Sequence, residues 1–241
     1  MLKVNEIFGP TIQGEGKSMG KEVVFLRLAM CNIHCFKCDT PYTWFYDGVR
    51  ASHVDGVRWN KQKETHLMAP DEVFNTLHNI VGGVRTIVIS GGEPFLQQKE
   101  LIPVLERLKR VGYQIEIETN GTIIPSEEFI GLIDQINCSP KLESSFSGEG
   151  EKIRIREKAL RSLSANSKTN FKFVISEPEN LKEALYLISV YEMKEVYFMP
   201  EGRSPEEIEA KKGWVETLCK EYNIIFSTRR HIELWGVRRA V

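Results

Sequence analysis

Short β-branched runs alternating with amphipathic helical patterns predict an α/β fold, with parallel strands joined by right-handed crossovers. Two further observations agree. Chemistry-bearing residues recur just after the strands, where parallel α/β folds gather ligands. No linker, internal repeat or low-complexity stretch divides the 241 residues. The expectation is one domain over 1–241 with about six parallel strands and outer helices. The spacing fits an open partial barrel and leaves a flat doubly wound sheet open.

The strands are expected at 23–29, 84–90, 114–118, 134–138, 170–176 and 195–199, with a short last one at 224–226. Each is a β-branched or aromatic run bounded by turn residues. A helix over 71–81 has Pro70 before it and Gly82-Gly83 after it. A second, over 100–111, repeats Leu101, Leu105 and Leu108 and ends at Gly112; Pro103 predicts a start or bend near it. Two more are expected over 180–191 and 204–221. The polar stretch 42–67 is too long for an ordinary connector and reads as an insertion or lid beside the cysteines. Residues 144–151 read as a second, mobile loop.

Composition is that of an ordinary globular chain, 41% hydrophobic and 27% charged. A net charge of −1 gives no reason to expect nucleic acid or an anionic membrane surface as partner. No apolar run approaches the roughly 20 residues of a membrane span, and Met1 to Glu6 carries no signal-peptide pattern. The expected location is therefore cytoplasmic. There, Cys138 and Cys219 read as buried structural thiols rather than a disulfide.

The remaining cysteines form Cys31-Asn-Ile-His-Cys35-Phe-Lys-Cys38, a C-x3-C-x2-C spacing directly after the first expected strand. Three thiolates so close suit three corners of a [4Fe–4S] cluster and leave one iron open. Zinc with His34 as fourth ligand is the alternative. Later strand ends carry Ser90-Gly91-Gly92-Glu93-Pro94, Glu118-Thr-Asn120-Gly121, Ser139-Pro140-Lys141 and Met199-Pro-Glu201-Gly202. Singly these read as turns; their shared position puts polar groups along one rim.

The cysteine spacing and the Ser90-Gly-Gly-Glu-Pro94 segment resemble the radical S-adenosylmethionine superfamily. That resemblance implies a partial TIM-type barrel and a [4Fe–4S] cluster on Cys31, Cys35 and Cys38. It also implies S-adenosylmethionine at the open iron, contacted by Gly92, Glu93, Glu118, Asn120, Ser139, Pro140 and Lys141. Finer features are similar to the 7-carboxy-7-deazaguanine synthase family: the segment Glu6 to Gly16, Arg27, Asp39-Thr40 after the last cluster cysteine, and Leu234 to Val241.

This second resemblance implies a carbon–nitrogen lyase of queuosine and 7-deazapurine biosynthesis. It would contract 6-carboxy-5,6,7,8-tetrahydropterin to 7-carboxy-7-deazaguanine by radical chemistry, with loss of ammonia. The implied substrate contacts are Ile12, Gln13, Gly14, Glu15, Arg27, Ser90 and His231, and Thr40 is the implied Mg²⁺ ligand. The three cysteines and Arg27 are the candidate catalytic residues. Flavodoxin or ferredoxin as electron donor and a homodimer follow from the resemblance alone. Plainer readings stand beside these: an ion pair for Arg27, a flexible glycine loop at 13–16, a cap for Thr40, a packed or exposed histidine for His231. At the level of function, the alternatives are an activase acting on a protein glycyl residue and a non-enzymatic zinc or Fe–S module.

Overall fold

The computed structural model describes residues 1–147 and 153–241. Among the described residues, nine strands form one sheet: β1 (Leu2–Ile12), β2 (Glu22–Leu28), β3 (His66–Met68), β4 (Thr86–Gly91), β5 (Gln114–Thr119), β6 (Gln135–Cys138), β7 (Thr169–Ile175), β8 (Val196–Pro200) and β9 (Ile225–Phe226). The helices are α1 (Lys61–Glu64), α2 (Pro70–Ile80), α3 (Gln98–Arg110), α4 (Glu127–Gly131), α5 (Glu157–Ser164), α6 (Pro178–Val190), α7 (Pro205–Tyr222) and α8 (Arg230–Trp235).

The strand order is β3-β1-β2-β4-β5-β6-β7-β8-β9. From β2 to β9 every neighbouring pair is parallel, and β1 is antiparallel to both β2 and β3. The two edge strands, β3 and β9, do not pair, so the sheet is an unclosed partial barrel. This is the α/β architecture expected, with every expected strand present and an antiparallel pair added.

That addition is the main correction. In sequence, β1 reads only as a motif preceding the first strand, because Gly9-Pro10 interrupts its alternation. The β1–β2 ladder absorbs the interruption with a register shift between Phe8 and Thr11. The helix α3 begins five residues before Pro103 and carries it inside. The segment 42–67 is not uniformly polar or loose. Tyr42, Trp44, Phe45 and Tyr46 are buried, and α1 and β3 lie at its far end. It is pinned to the cysteine loop, where His53 Nε2 donates to the Cys38 carbonyl (2.9 Å) and Val54 N to the Phe36 carbonyl (2.9 Å). The expected loop 144–151 falls partly outside the described residues, from 148 onward.

Packing divides the strands into two faces. Ile87 and Ile89, Ile115 and Ile117, Ile136 and Cys138, and Phe171, Phe173 and Ile175 join Leu101, Leu105 and Leu108 of α3 and Leu77 of α2 in the main core. Their alternating neighbours Glu116, Glu118, Asn137, Asn170 and Lys172 point to the other, inner face. Local signals fix the helix ends. Ser204 Oγ accepts from Glu207 N to start α7, and Asn223 in the left-handed conformation (φ 53°) stops it.

Candidate active site

A cavity of about 330 Å³ opens at the carboxyl ends of the parallel strands. Cys31, Cys35 and Cys38 line one wall, and Gln13, Gly14, Glu15 and Arg27 line another. Close backbone packing shapes the cysteine wall. The end of β4 crosses beneath the cysteine loop, where Gly92 N donates to the Leu28 carbonyl (3.0 Å) and Glu93 N to the Met30 carbonyl (2.8 Å). A Cβ at Gly92 would lie 2.0 Å from the Met30 carbonyl oxygen, so only glycine lets the two loops meet.

Most of the expected site residues converge. Ile12, Thr40, Ser90, Gly92, Glu118, Asn120, Ser139, Lys141 and His231 all face the cavity with the residues above. Glu93 and Pro140 do not line it. The Glu93 carboxylate is fully buried behind the loop, accepting from Phe95 N (3.0 Å), Thr119 Oγ1 (2.8 Å) and Asn120 N (2.7 Å). Burial pushes its carboxyl up to about 7, against the pull of those donors. Glu93 thus ties the β4 and β5 ends together from behind.

Burial also drives the thiols upward. Cys31 lies well above its ordinary value through burial, then the Glu93 and Cys35 charges; burial raises Cys35 to about 12, with Lys141 opposing. Thiolates here need a cationic partner, and three soft sulfur donors on one wall fit an iron–sulfur cluster. His34, the fourth ligand of the zinc alternative, is stacked on Trp44 with ring centroids 4.5 Å apart and is not part of the lining. Asn120 Nδ2 lies 3.9 Å from Cys31 Sγ and donates to Asn32 Oδ1 (3.0 Å). Lys141 Nζ donates to Ser139 Oγ (2.9 Å).

The lining also holds a buried charge network, of which Lys172 and Arg229 belong to no motif read from the sequence. Lys172 Nζ bridges Glu118 Oε2 (2.6 Å) and Glu15 Oε2 (3.2 Å). Arg229 Nε reaches Glu15 Oε1 (2.9 Å), and its Nη2 pairs with Asp39. Gln13 Nε2 donates to Glu118 Oε1 (3.1 Å). Burial alone would raise Glu15, but Lys172 and Arg229 outweigh it and hold its carboxyl well below the usual 4.5. His231 Nε2 stands 3.8 Å from Glu15 Oε1, and burial lowers its imidazole despite that charge. Glu118, expected at the cofactor, lines the cavity and accepts from protein donors on both oxygens.

Arg27 forms the ion pair of its plainer reading and also lines the cavity. Its Nε pairs with Glu6 Oε1 (2.7 Å), while among the described residues its two terminal nitrogens have no hydrogen-bond partner. Thr40 sits at the N-cap of a 3-10 turn, Pro41–Thr43, yet its hydroxyl makes no capping bond; it lies 3.6 Å from Cys38 Sγ. Behind these, Arg239 stacks on Tyr42 at 3.8 Å and pairs with Glu64 (3.0 Å). That anchors the segment 236–241, most of which lines the cavity. Sequence reasoning misses Lys172 and Arg229, and it meets Asp39 and Arg239 only as members of the segments Asp39-Thr40 and Leu234 to Val241, without a role for either. The one available signal is a lysine at the centre of the otherwise apolar run Phe171-Lys-Phe-Val.

Comparison with known proteins agrees with this geometry. The model of the Radical SAM superfamily matches residues 27–140. The 7-carboxy-7-deazaguanine synthase of Halobacterium salinarum is 31% identical over 98% of this chain and 91% of its own length. That of Pyrobaculum aerophilum is 31% identical over 99% and 96%. The crystal structure of QueE from Escherichia coli shares the fold, with a TM-score of 0.70 at 20% identity over 95% of this chain and 94% of that one. A cysteine-lined cavity at the strand ends and relatives matched along nearly the whole sequence lead to one assignment: the chain belongs to the 7-carboxy-7-deazaguanine synthase family of the radical S-adenosylmethionine superfamily.

Proposed function

We propose that this enzyme converts 6-carboxy-5,6,7,8-tetrahydropterin to 7-carboxy-7-deazaguanine with loss of ammonia. One observation carries the reading: a single cavity holds the three cysteines on one wall and the Gln13, Glu15 and Arg27 set on the other. The full-length match to synthases favours it over the activase and binding-module alternatives.

Cys31, Cys35 and Cys38 would hold the cluster; Gly92, Asn120, Ser139 and Lys141 would contact S-adenosylmethionine. When bound, these two groups together supply a radical able to remove a hydrogen atom from the substrate. Everything else falls to the chain. The free terminal nitrogens of Arg27 offer a bidentate, charge-assisted clamp for the pterin carboxylate. Glu15, kept ionised by Lys172 and Arg229, accepts from N–H groups on the pyrimidine edge. The Gln13 amide and the Ser90 hydroxyl supply further polar contacts. Segment 236–241 adds Gly236, Val237, Arg238, Ala240 and Val241 to the lining.

The Thr40 hydroxyl suits Mg²⁺, a hard ion that takes few protein oxygens and keeps waters. Its neighbour Asp39 is already committed to Arg229. A flavodoxin or ferredoxin as reductant, a homodimer and a cytoplasmic location complete the proposal on family grounds. Among the described residues, no helix is long and apolar enough to cross a membrane.

Anaerobically reconstituted protein with S-adenosylmethionine, reductant, Mg²⁺ and the carboxytetrahydropterin should yield 7-carboxy-7-deazaguanine, read by mass spectrometry. Cleavage of S-adenosylmethionine without that product would refute the reading.

A further inference from the structure

We propose that Arg229 is a positioning residue, one guanidinium that fixes the Glu15 carboxylate against the loop carrying Cys38 and Thr40. The inference rests on the functional reading above, in which Glu15 faces the substrate. Glu15 lies between Gly14 and Gly16, two residues without side chains of their own to position it. Backbone tethers hold the flanks: Arg230 N donates to the Gly14 carbonyl (2.8 Å), and Gly16 N to Ser227 Oγ (2.8 Å). They leave the Glu15 carboxylate to side-chain partners, Lys172 on Oε2 (3.2 Å) and Arg229 on Oε1 (2.9 Å).

Of these two, Arg229 is the one that also binds Asp39 and the Gly202 carbonyl. Its three nitrogens serve three loops: Nε binds Glu15 (2.9 Å), Nη2 binds Asp39, and Nη1 donates to the Gly202 carbonyl (2.8 Å). These loops follow β1, β2 and β8, so no single element could set their spacing. The residue is only 4% exposed, which keeps the bonds out of competition with water. Lysine could restore the charge but not the geometry, because one ammonium cannot span Glu15 and Asp39 while donating to Gly202. The requirement is therefore for a planar fork rather than for a cation.

Arg229→Lys tests this. Iron content and cluster absorbance are measured alongside, so that pterin affinity is expressed per cluster-loaded molecule. The KM and the calorimetric dissociation constant for the pterin should both rise on the order of tenfold or more, the size of a lost charge-assisted bond. Glu15→Gln and Asp39→Asn should be non-additive on pterin affinity in the parent chain and additive in the Arg229→Lys background. A purely structural role predicts a lower Tm with pterin affinity per cluster-loaded molecule unchanged. That result, or additivity in the parent chain, overturns the proposal. A parent enzyme that forms no product from the pterin refutes the functional reading and takes this proposal with it.

Discussion

The two faces of the sheet use the same strands for different ends. Outward, Ile115 and Ile117 of β5 and Phe171 and Phe173 of β7 pack under α3 and its neighbours in a continuous apolar core. Inward, Glu116 and Glu118 of β5 and Asn170 and Lys172 of β7 form hydrogen bonds and ion pairs. A closed barrel of this type fills its interior with apolar layers. Here the sheet stays open, and its concave side is polar and paired. Stability is concentrated on one side and reactivity on the other, a residue apart along each strand.

The sharpest break in that division comes from the cysteine wall. Cys35→Ala should abolish stoichiometric cluster iron, S-adenosylmethionine cleavage and product, while leaving circular dichroism and Tm nearly unchanged. A large loss of Tm would show that the inner wall also holds the fold. Leu105→Ala, on the fully buried side of α3, should cost about 2–5 kcal/mol by cavity creation. Denaturant titration reads that cost.

A smaller effect separates the faces by pH. Glu15 is depressed in the folded state, so its stabilising contribution is present above 4.5 and is lost as pH falls toward its folded value. Glu15→Gln should therefore be less stable at neutral pH and show a flatter acid limb in Tm against pH; an unchanged limb would contradict the network. Least of all, Lys17→Ala breaks an exposed pair with Glu195 and should shift stability by under about 1 kcal/mol. It provides the surface control.

The outer face is the more legible one in sequence because its signals are local. Leu101, Leu105 and Leu108 repeat within two turns, and β-branched runs mark the parallel strands. The cysteines and the Ser90-Gly-Gly-Glu-Pro94 segment are equally readable, since each motif is contiguous. The strand β1 is not, because Gly9-Pro10 breaks its pattern where the ladder shifts register. The charge network is hidden by distance. Lys172 meets Glu15 across 157 positions, and Arg229 meets it across 214. No local spacing announces such pairs, and Arg229-Arg230 in sequence looks like surface charge. Arg27 reads in sequence as either a clamp or an ion pair; it forms the pair through Nε and lines the cavity.

The division of labour is tested most directly by turnover per cluster-loaded molecule in two variants assayed together, Arg27→Gln and Leu105→Ala. Arg27→Gln should lose on the order of 10- to 100-fold in kcat/KM, the worth of a charge-assisted clamp, with Tm close to the parent. Leu105→Ala should lose Tm and keep parent turnover. Parent-like turnover in Arg27→Gln, or a comparable loss of turnover in Leu105→Ala, would contradict that division.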